Sequence, residues 1–413
     1  MTEQIEIIKS ILQPLAQFWW LILPVLFYYV FYLIWMDFVM DNWSGKQEWT
    51  IIELIPPKDL EKGPKPMESV YHGLMGSVKS YHAVEEFVYG MDTDKFSFEL
   101  VGLGGEVHFY VRVQKYLRVF LESQIYAQYP GIEILEVPDY MDNFPKIAPN
   151  RDWKVWGSDL ILVADDAIPI RTYDKFEEDI TGTMIDPLAA YIELFASLPP
   201  GQNILLQHIV KPLPEAWIKK ERKKLIDKLA GRTSSSSKSV WQHFLEVFVY
   251  MPAGLLGLVE FPTETKKEQQ PLAFRLTPGE QEQLKAIEEN MGKTMYKVKI
   301  RFVCIGKKEG FDMANVGGFF GVMRQFGDLN LNTLKPDKTK TSAYFINIEA
   351  RGLAMKRRLL NRYRKRNTDG NNVILSSSEL ATLYHIPDMG VMTPALPRVE
   401  SKKGTAPSNL PIG

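Results

Sequence analysis

The strongest pattern along the chain is a run without any charged residue, from Ser10 to Met36, whose centre at 16–36 reads AQFWWLILPVLFYYVFYLIWM. A bilayer core about 30 Å thick is crossed by roughly 20 apolar residues rising about 1.5 Å each in a helix. The run therefore predicts one transmembrane helix at about 16–36, with Leu26 near its middle. Aromatics gather at its ends: Phe18, Trp19 and Trp20, then Tyr28, Tyr29, Tyr32 and Trp35. Such rings favour the interface, where an apolar body and a polar edge are both satisfied. A secretory signal peptide fits less well, because Glu3 and Glu6 accompany Lys9 and no small-residue cleavage site follows Met36.

Behind this segment the periodicity changes. Gln47 to Pro57 reads as a strand stopped by two prolines. Pro66 to Ser80 carries Met67, Val70, Tyr71, Leu74 and Val78 at helical spacing. Lys95 to Val113 alternates on both sides of Gly104-Gly105, a hairpin signature. Lys115 to Tyr129 is again helical, and Ile132 to Val137 a short strand. The order β-α-β-β-α-β is the ferredoxin-like plan.

A second copy follows: a strand at 153–163, a helix opened by Asp186 as cap and running to about Leu198, and a strand at 203–210. An insertion at about 214–276 comes next, then a helix at 277–292, a strand at 295–305 and a helix at 311–326. The predicted class is α+β. The domains are 1–43 with the membrane helix, 44–150 and 151–345 as two ferredoxin-like units, and 346–413. The last part holds a basic helix at 351–366, a short helix capped by Ser376 and Glu379, and a Pro-rich extended tail from Pro387.

Composition narrows the function more than it defines it. Basic and acidic residues number 49 and 50, for a net charge of -1, so any basic surface is local. The single cysteine, Cys304, has apolar neighbours and reads as a buried strand thiol. The six histidines include no HExxH or other metal-ligand spacing; His108 and His208 lie within strands and read as structural. Gly292-Lys293-Thr294 carries the GKT of a phosphate-binding loop, but Ile287 stands where the pattern needs glycine, and a helix precedes it while a strand follows. Gly292 reads instead as a helix cap. No cofactor motif and no catalytic constellation is found, and the reading is that of a non-enzyme.

Two basic clusters remain. Lys219, Lys220, Arg222, Lys223, Lys224 and Lys228 lie in the insertion; Lys356, Arg357, Arg358, Arg362, Arg364, Lys365 and Arg366 lie in the later helix. Cations so grouped can meet nucleic-acid phosphates, anionic lipid headgroups or a protein partner, and can equally form a solvated helix face. Pro394, Pro397, Pro407 and Pro411 mark the tail as a candidate docking segment.

Several stretches carry a resemblance as a set: ELIPPKDLEKGPKPMESVYHGLMG at 53–76, FSFELVGLGGEVHFYVRVQ at 96–114, IYAQYPGIEILEVPDY at 125–140, IDPLAAYIELFASLPPGQNILLQHIVKP at 185–212, KPDKTKT at 335–341, and the segment from Ser376 to Pro411. From about Glu48 onward the chain resembles an uncharacterised bacterial membrane-associated family found beside, or fused to, HerA/FtsK-type ATPases similar to conjugative coupling proteins. The resemblance implies a non-catalytic anchor or scaffold in a type IV secretion-like or conjugation-like transfer system. The ATPase would be a separate chain and the soluble bulk would lie on the cytoplasmic side of the bacterial cell membrane. A homo-oligomer fits the same picture. The alternative is a membrane-tethered protein that binds nucleic acid through its basic clusters.

Overall fold

A computed structural model describes residues 19–176, 185–219, 277–337, 347–391 and 393–400, with side chains from residue 23 onward. The charge-free run lies in α1 (Trp19–Lys46), a helix with Pro24 inside it. From Leu23 to Lys46 it is long and apolar enough to cross a membrane, and almost none of it is buried. Three residues later β1 (Trp49–Ile55) begins, followed by α2 (Lys65–Leu74) and α3 (Ala83–Tyr89). β2 (Phe96–Leu103) and β3 (Glu106–Gln114) form the predicted hairpin. Gly104 and Gly105 turn it at φ +58° and +104°, a region that residues with a Cβ rarely enter. α4 (Arg118–Gln128) and β4 (Glu133–Val137) complete the first half.

The second half contains β5 (Trp153–Leu162), α5 (Ala189–Ala196), β6 (Gln202–Pro212), α6 (Pro278–Met291), β7 (Met295–Lys307), α7 (Ala314–Met323) and β8 (Leu334–Pro336). Then come α8 (Ile348–Lys365), β9 (Val373–Ser376) and α9 (Ser377–Leu383). All nine strands share one antiparallel sheet in the order β4-β1-β3-β2-β6-β7-β5-β8, with β9 also on β7. The order on one side of the β2–β6 pair is repeated, reversed, on the other.

The sequence predicts two units, yet the sheet is continuous across them. β2 and β6, which two separate sheets would leave as open edges, pair from Phe96 opposite Val210 to Leu103 opposite Asn203. Both strands are buried over almost their whole length. An apolar edge left unpaired is a template for aggregation, and pairing the two removes both.

Side-chain alternation then sorts the core onto two faces. Phe98, Leu100, Phe302 and Cys304 join helices α2, α4, α5, α7 and α9 in the larger apolar cluster. Val101, Leu205, Val303 and Ile305 face the other way, onto Leu359, Leu360 and Tyr363 of α8 and onto Tyr140, Met141 and Phe144.

Some expectations shift. Asp186 lies before the helix, which begins at Ala189 with Leu188 as its cap; the Asp186 carboxylate accepts from the Leu188 and Asp388 amides and sits 3.0 Å from His385 Nε2. The C-terminal segment is part of the body as far as Glu400. α9 is buried throughout, β9 joins the sheet, and Val391 and Leu396 enter the core. Val399 pairs with Pro57. The insertion lies outside the described residues from Lys220 to 276.

Candidate functional site

The end of α1 is where the apolar helix meets the sheet. Trp35 Nε1 donates to the Phe87 carbonyl of α3 at 2.7 Å, and the Phe87 ring lies 6.1 Å from the rings of both Tyr32 and Trp35. Gly90, in the left-handed region at φ +67°, ends α3 against α1; a Cβ there would collide with the Val39 carbonyl. The seam is thus close backbone packing, which other residues would hold apart.

Beside this seam lie two clefts, the first balanced in charge and the second lined by cations. One, of about 260 Å³, is lined by Met40, Asp92, Lys211, Lys297, Asp369 and Asn372. Within it Lys211 and Asp92 form an ion pair. The other is lined by Ser44, Trp49, Lys95, Arg112, Lys365 and Arg366. The Arg112 guanidinium lies 4.2 Å over the Trp49 ring. Burial, reinforced by the nearby Arg366 charge, pulls the Arg112 guanidinium down to about 10.

A second polar arrangement runs across the middle of the sheet. Strand register sets Glu99 opposite Gln207, Gln207 opposite Arg301, and Arg301 opposite Asp159, all four buried. Arg301 Nε donates to Asp159 at 2.8 Å and Nη1 to Gln207 at 3.2 Å; Gln207 Nε2 donates to Glu99 at 2.9 Å. Lys299 Nζ lies 2.8 Å from Asp159.

Residues around α8 close the row from above. Arg366 Nε and Nη2 reach Glu99 at 3.0 and 3.1 Å, and Nη2 also reaches Asp139 at 2.9 Å. The Tyr140 hydroxyl donates to Glu99 at 2.6 Å. Arg301 also donates to the Arg362 and Asn367 carbonyls at 3.0 and 3.1 Å. Burial alone would raise the Glu99 carboxyl. The Arg366 charge, with hydrogen bonds from Arg366, Ser97 and Tyr140, outweighs it and holds the group below the usual carboxylate range. Groups paired this fully clamp α8 to the sheet.

The structure divides the later basic cluster accordingly. Arg366 is buried in that clamp, and Arg364 donates to the carbonyls of Met141, Phe144, Pro145 and Lys146, so these two hold the fold together. Arg357, Arg358 and Lys365 are exposed, and Lys356 and Arg362 half-buried. In the earlier cluster Lys219 pairs with Glu215 at 3.1 Å, while Lys220, Arg222 and Lys223 lie outside the described residues. Pro394 and Pro397 are exposed; Pro407 and Pro411 are outside the described residues, as is Phe18. Trp19 and Trp20 begin α1, and Leu26, Tyr28 and Tyr29 are exposed along it.

Other candidates resolve simply. Gly292 caps α6, Lys293 lies 3.5 Å from Glu68, and β7 starts at Met295, so no helix N-terminus follows the GKT triplet. These residues border an open cleft of about 650 Å³ with Lys65, Glu68, His72 and Ser377. Cys304 is buried, and burial pushes its thiol up to about 11. His108 contacts Glu53 at 2.6 Å, and His208 is buried against the sheet. Among the described residues no group of three or more His, Cys, Asp or Glu side chains could hold a metal ion.

The sequence reading missed α3, the short strands β8 and β9, and the central polar row. The row left only a weak signal, since Glu99, Gln207, Arg301 and Asp159 are polar positions within largely buried strands that carry other polar residues too, and their meeting depends on register.

A family model described as a domain of unknown function, DUF8128, matches residues 41–398. This chain belongs to the DUF8128 family. The match starts within the last turns of α1 and takes in every strand of the sheet as well as the returning segment up to Arg398. The central row, the exposed face of α8 and, apart from Met40, the clefts beside α1 therefore lie on DUF8128 sequence. No curated protein matches the chain.

Proposed function

We propose that this DUF8128 protein is a single-pass, non-catalytic membrane platform. It holds a HerA/FtsK-type ATPase, carried on a separate chain, at the cytoplasmic face of a bacterial cell membrane for type IV secretion-like DNA or protein transfer. The observation that carries the anchoring half is α1, apolar, exposed over most of its apolar run and joined to the sheet within three residues. The ATPase half rests on the sequence resemblance. Each half of the sheet is read as a ferredoxin-like unit, and the strand orders β4-β1-β3-β2 and β8-β5-β7-β6 support that reading. A platform needs stiffness, and the pairing across β2–β6 with the buried ion clamp beneath α8 supplies it.

The test is affinity purification of the tagged full-length chain in detergent, beside a version ending at Glu400, with mass spectrometry of what co-purifies. Truncation at Glu400 spares Leu396 and Val399, which pack on the body. Recovery of a HerA/FtsK-type ATPase is expected, and its loss on truncation would assign docking to residues 401–413. Absence of any such ATPase from both preparations would remove the partner from the proposal.

A second reading is supported by the exposed Arg357 and Arg358 on α8, which could meet nucleic acid. It predicts DNA binding that weakens steeply with salt and with charge removal at those two positions.

A further inference from the structure

α3 is a helix without a buried face. Val84, Val88 and Tyr89 are 63%, 48% and 60% exposed, and none of its seven residues is buried. A solvated helix so short has little support beyond its caps, the His82 amide on Glu85 and the left-handed Gly90, since nucleation is costly and tertiary packing usually supplies the stability. Its pattern is nonetheless amphipathic. Ala83, Val84, Phe87 and Val88 fall on one side at the spacing of i, i+3 and i+4, and Glu85 and Glu86 fall on the other. The apolar side is partnered at one point, where Phe87 packs on Tyr32 and Trp35 of α1. Those two rings sit in the final turns of the charge-free run, just before Asp37. That is the level where aromatic side chains mark the boundary between acyl chains and headgroups.

We infer that α3 is an in-plane membrane helix, lying in the lipid headgroup–acyl boundary with Val84, Phe87 and Val88 toward the acyl chains and Glu85 and Glu86 toward water. The occupant of its exposed apolar face is the bilayer that α1 enters, because Phe87 on that face packs on Tyr32 and Trp35 at the end of the apolar run. Phe87 bridges the two helices, the Trp35 indole donates to its carbonyl, and Gly90 fixes the chain against Val39. Two lines of contact define a plane where a lone span leaves the body free to tilt and rotate. α3 therefore sets how the sheet stands on the membrane. The inference rests on the anchoring reading of α1.

The test separates the two. Full-length chains carrying Val88→Cys, Val25→Cys or Leu329→Cys are labelled with an environment-sensitive fluorophore and reconstituted into phosphatidylcholine–phosphatidylglycerol vesicles containing shallow or deep doxyl lipids. Cys304 is buried, so the introduced thiol takes the label. Val25 is 68% exposed in the apolar run and reports the span, while Leu329, fully exposed in a loop after α7, reports water. Quenching at Val88 that is stronger with shallow than with deep doxyl lipid, with the opposite order at Val25 and none at Leu329, is the expected result. Val88 unquenched like Leu329, while Val25 is quenched, overturns the in-plane helix and leaves the anchor standing. Loss of quenching at Val25 as well removes both.

Discussion

His208 illustrates what the sheet does to a single residue. It lies on β6 beneath the Tyr384 ring, fully buried, and burial lowers its imidazole to about 4 although a backbone bond at Phe98 opposes the shift. The folded protein thus keeps the ring neutral where the unfolded chain, near 6.5, already binds a proton. Stability from this residue is complete above about 6.5 and is lost as pH falls toward 4, to a total of about 3 kcal/mol. His208→Gln should flatten that part of the profile, and urea midpoints of the detergent-solubilised chain at several pH values would measure it. An unchanged slope would mean that His208 titrates normally in the fold. The carboxylates of Glu99 and Asp186, both held low despite burial, lose their contribution further down in pH, as each falls through its folded value. The difference between wild type and variant isolates the histidine from them.

At the level of elements, α8 is amphipathic with a polar lock. Leu359, Leu360 and Tyr363 pack on the sheet, and Arg366, in the left-handed conformation just past its end, folds back onto Glu99 and Asp139. Removing one member of a buried ion pair strands the other in a low dielectric. Arg366→Met should therefore cost about 3–5 kcal/mol in chemical denaturation. The double variant with Glu99→Leu should recover much of the loss, and a double variant as unstable as the sum of both single changes would deny the coupling. Helix signals at this scale were readable in the sequence. Ser376 and Glu379 form the predicted capping box. α6 ends where Gly292 was expected to cap it. α3 escaped notice, because seven residues packed on another helix leave too short a pattern to stand apart from a loop.

Across the whole molecule, the two halves depend on each other. The β2–β6 pairing lies at the centre of the sheet, and the larger apolar cluster draws on both halves and on α9 from the C-terminal part. Residues 44–150 expressed alone would bare the β2 edge and lose the cover of α8 and α9. They are expected to aggregate or stay unfolded, as judged by size-exclusion chromatography and amide dispersion in NMR. A monomeric, well-dispersed fragment would instead make the first half an independent domain. The returning segment argues the same way, since Met389 bonds to Leu60, Val107 to Ala395 and Lys58 to Val399.

The sequence by itself determined the elements that rest on local pattern. These are the apolar helix from its charge-free run, the β2–β3 hairpin from alternation around two glycines, the buried Cys304 from its apolar strand, and the longer strands and helices of each half, though not α3, β8 or β9. Such features follow from periodicity and turn chemistry within a few residues. Tertiary structure alone decided that β2 pairs with β6, that Glu99, Gln207, Arg301 and Asp159 share one row, and that Arg364 and Arg366 turn inward while Arg357 and Arg358 face out. Strand register and long-range pairing set these outcomes. A shift of one residue would move every side chain of a strand to the opposite face, and no local stretch of sequence encodes which partner strand fixes it.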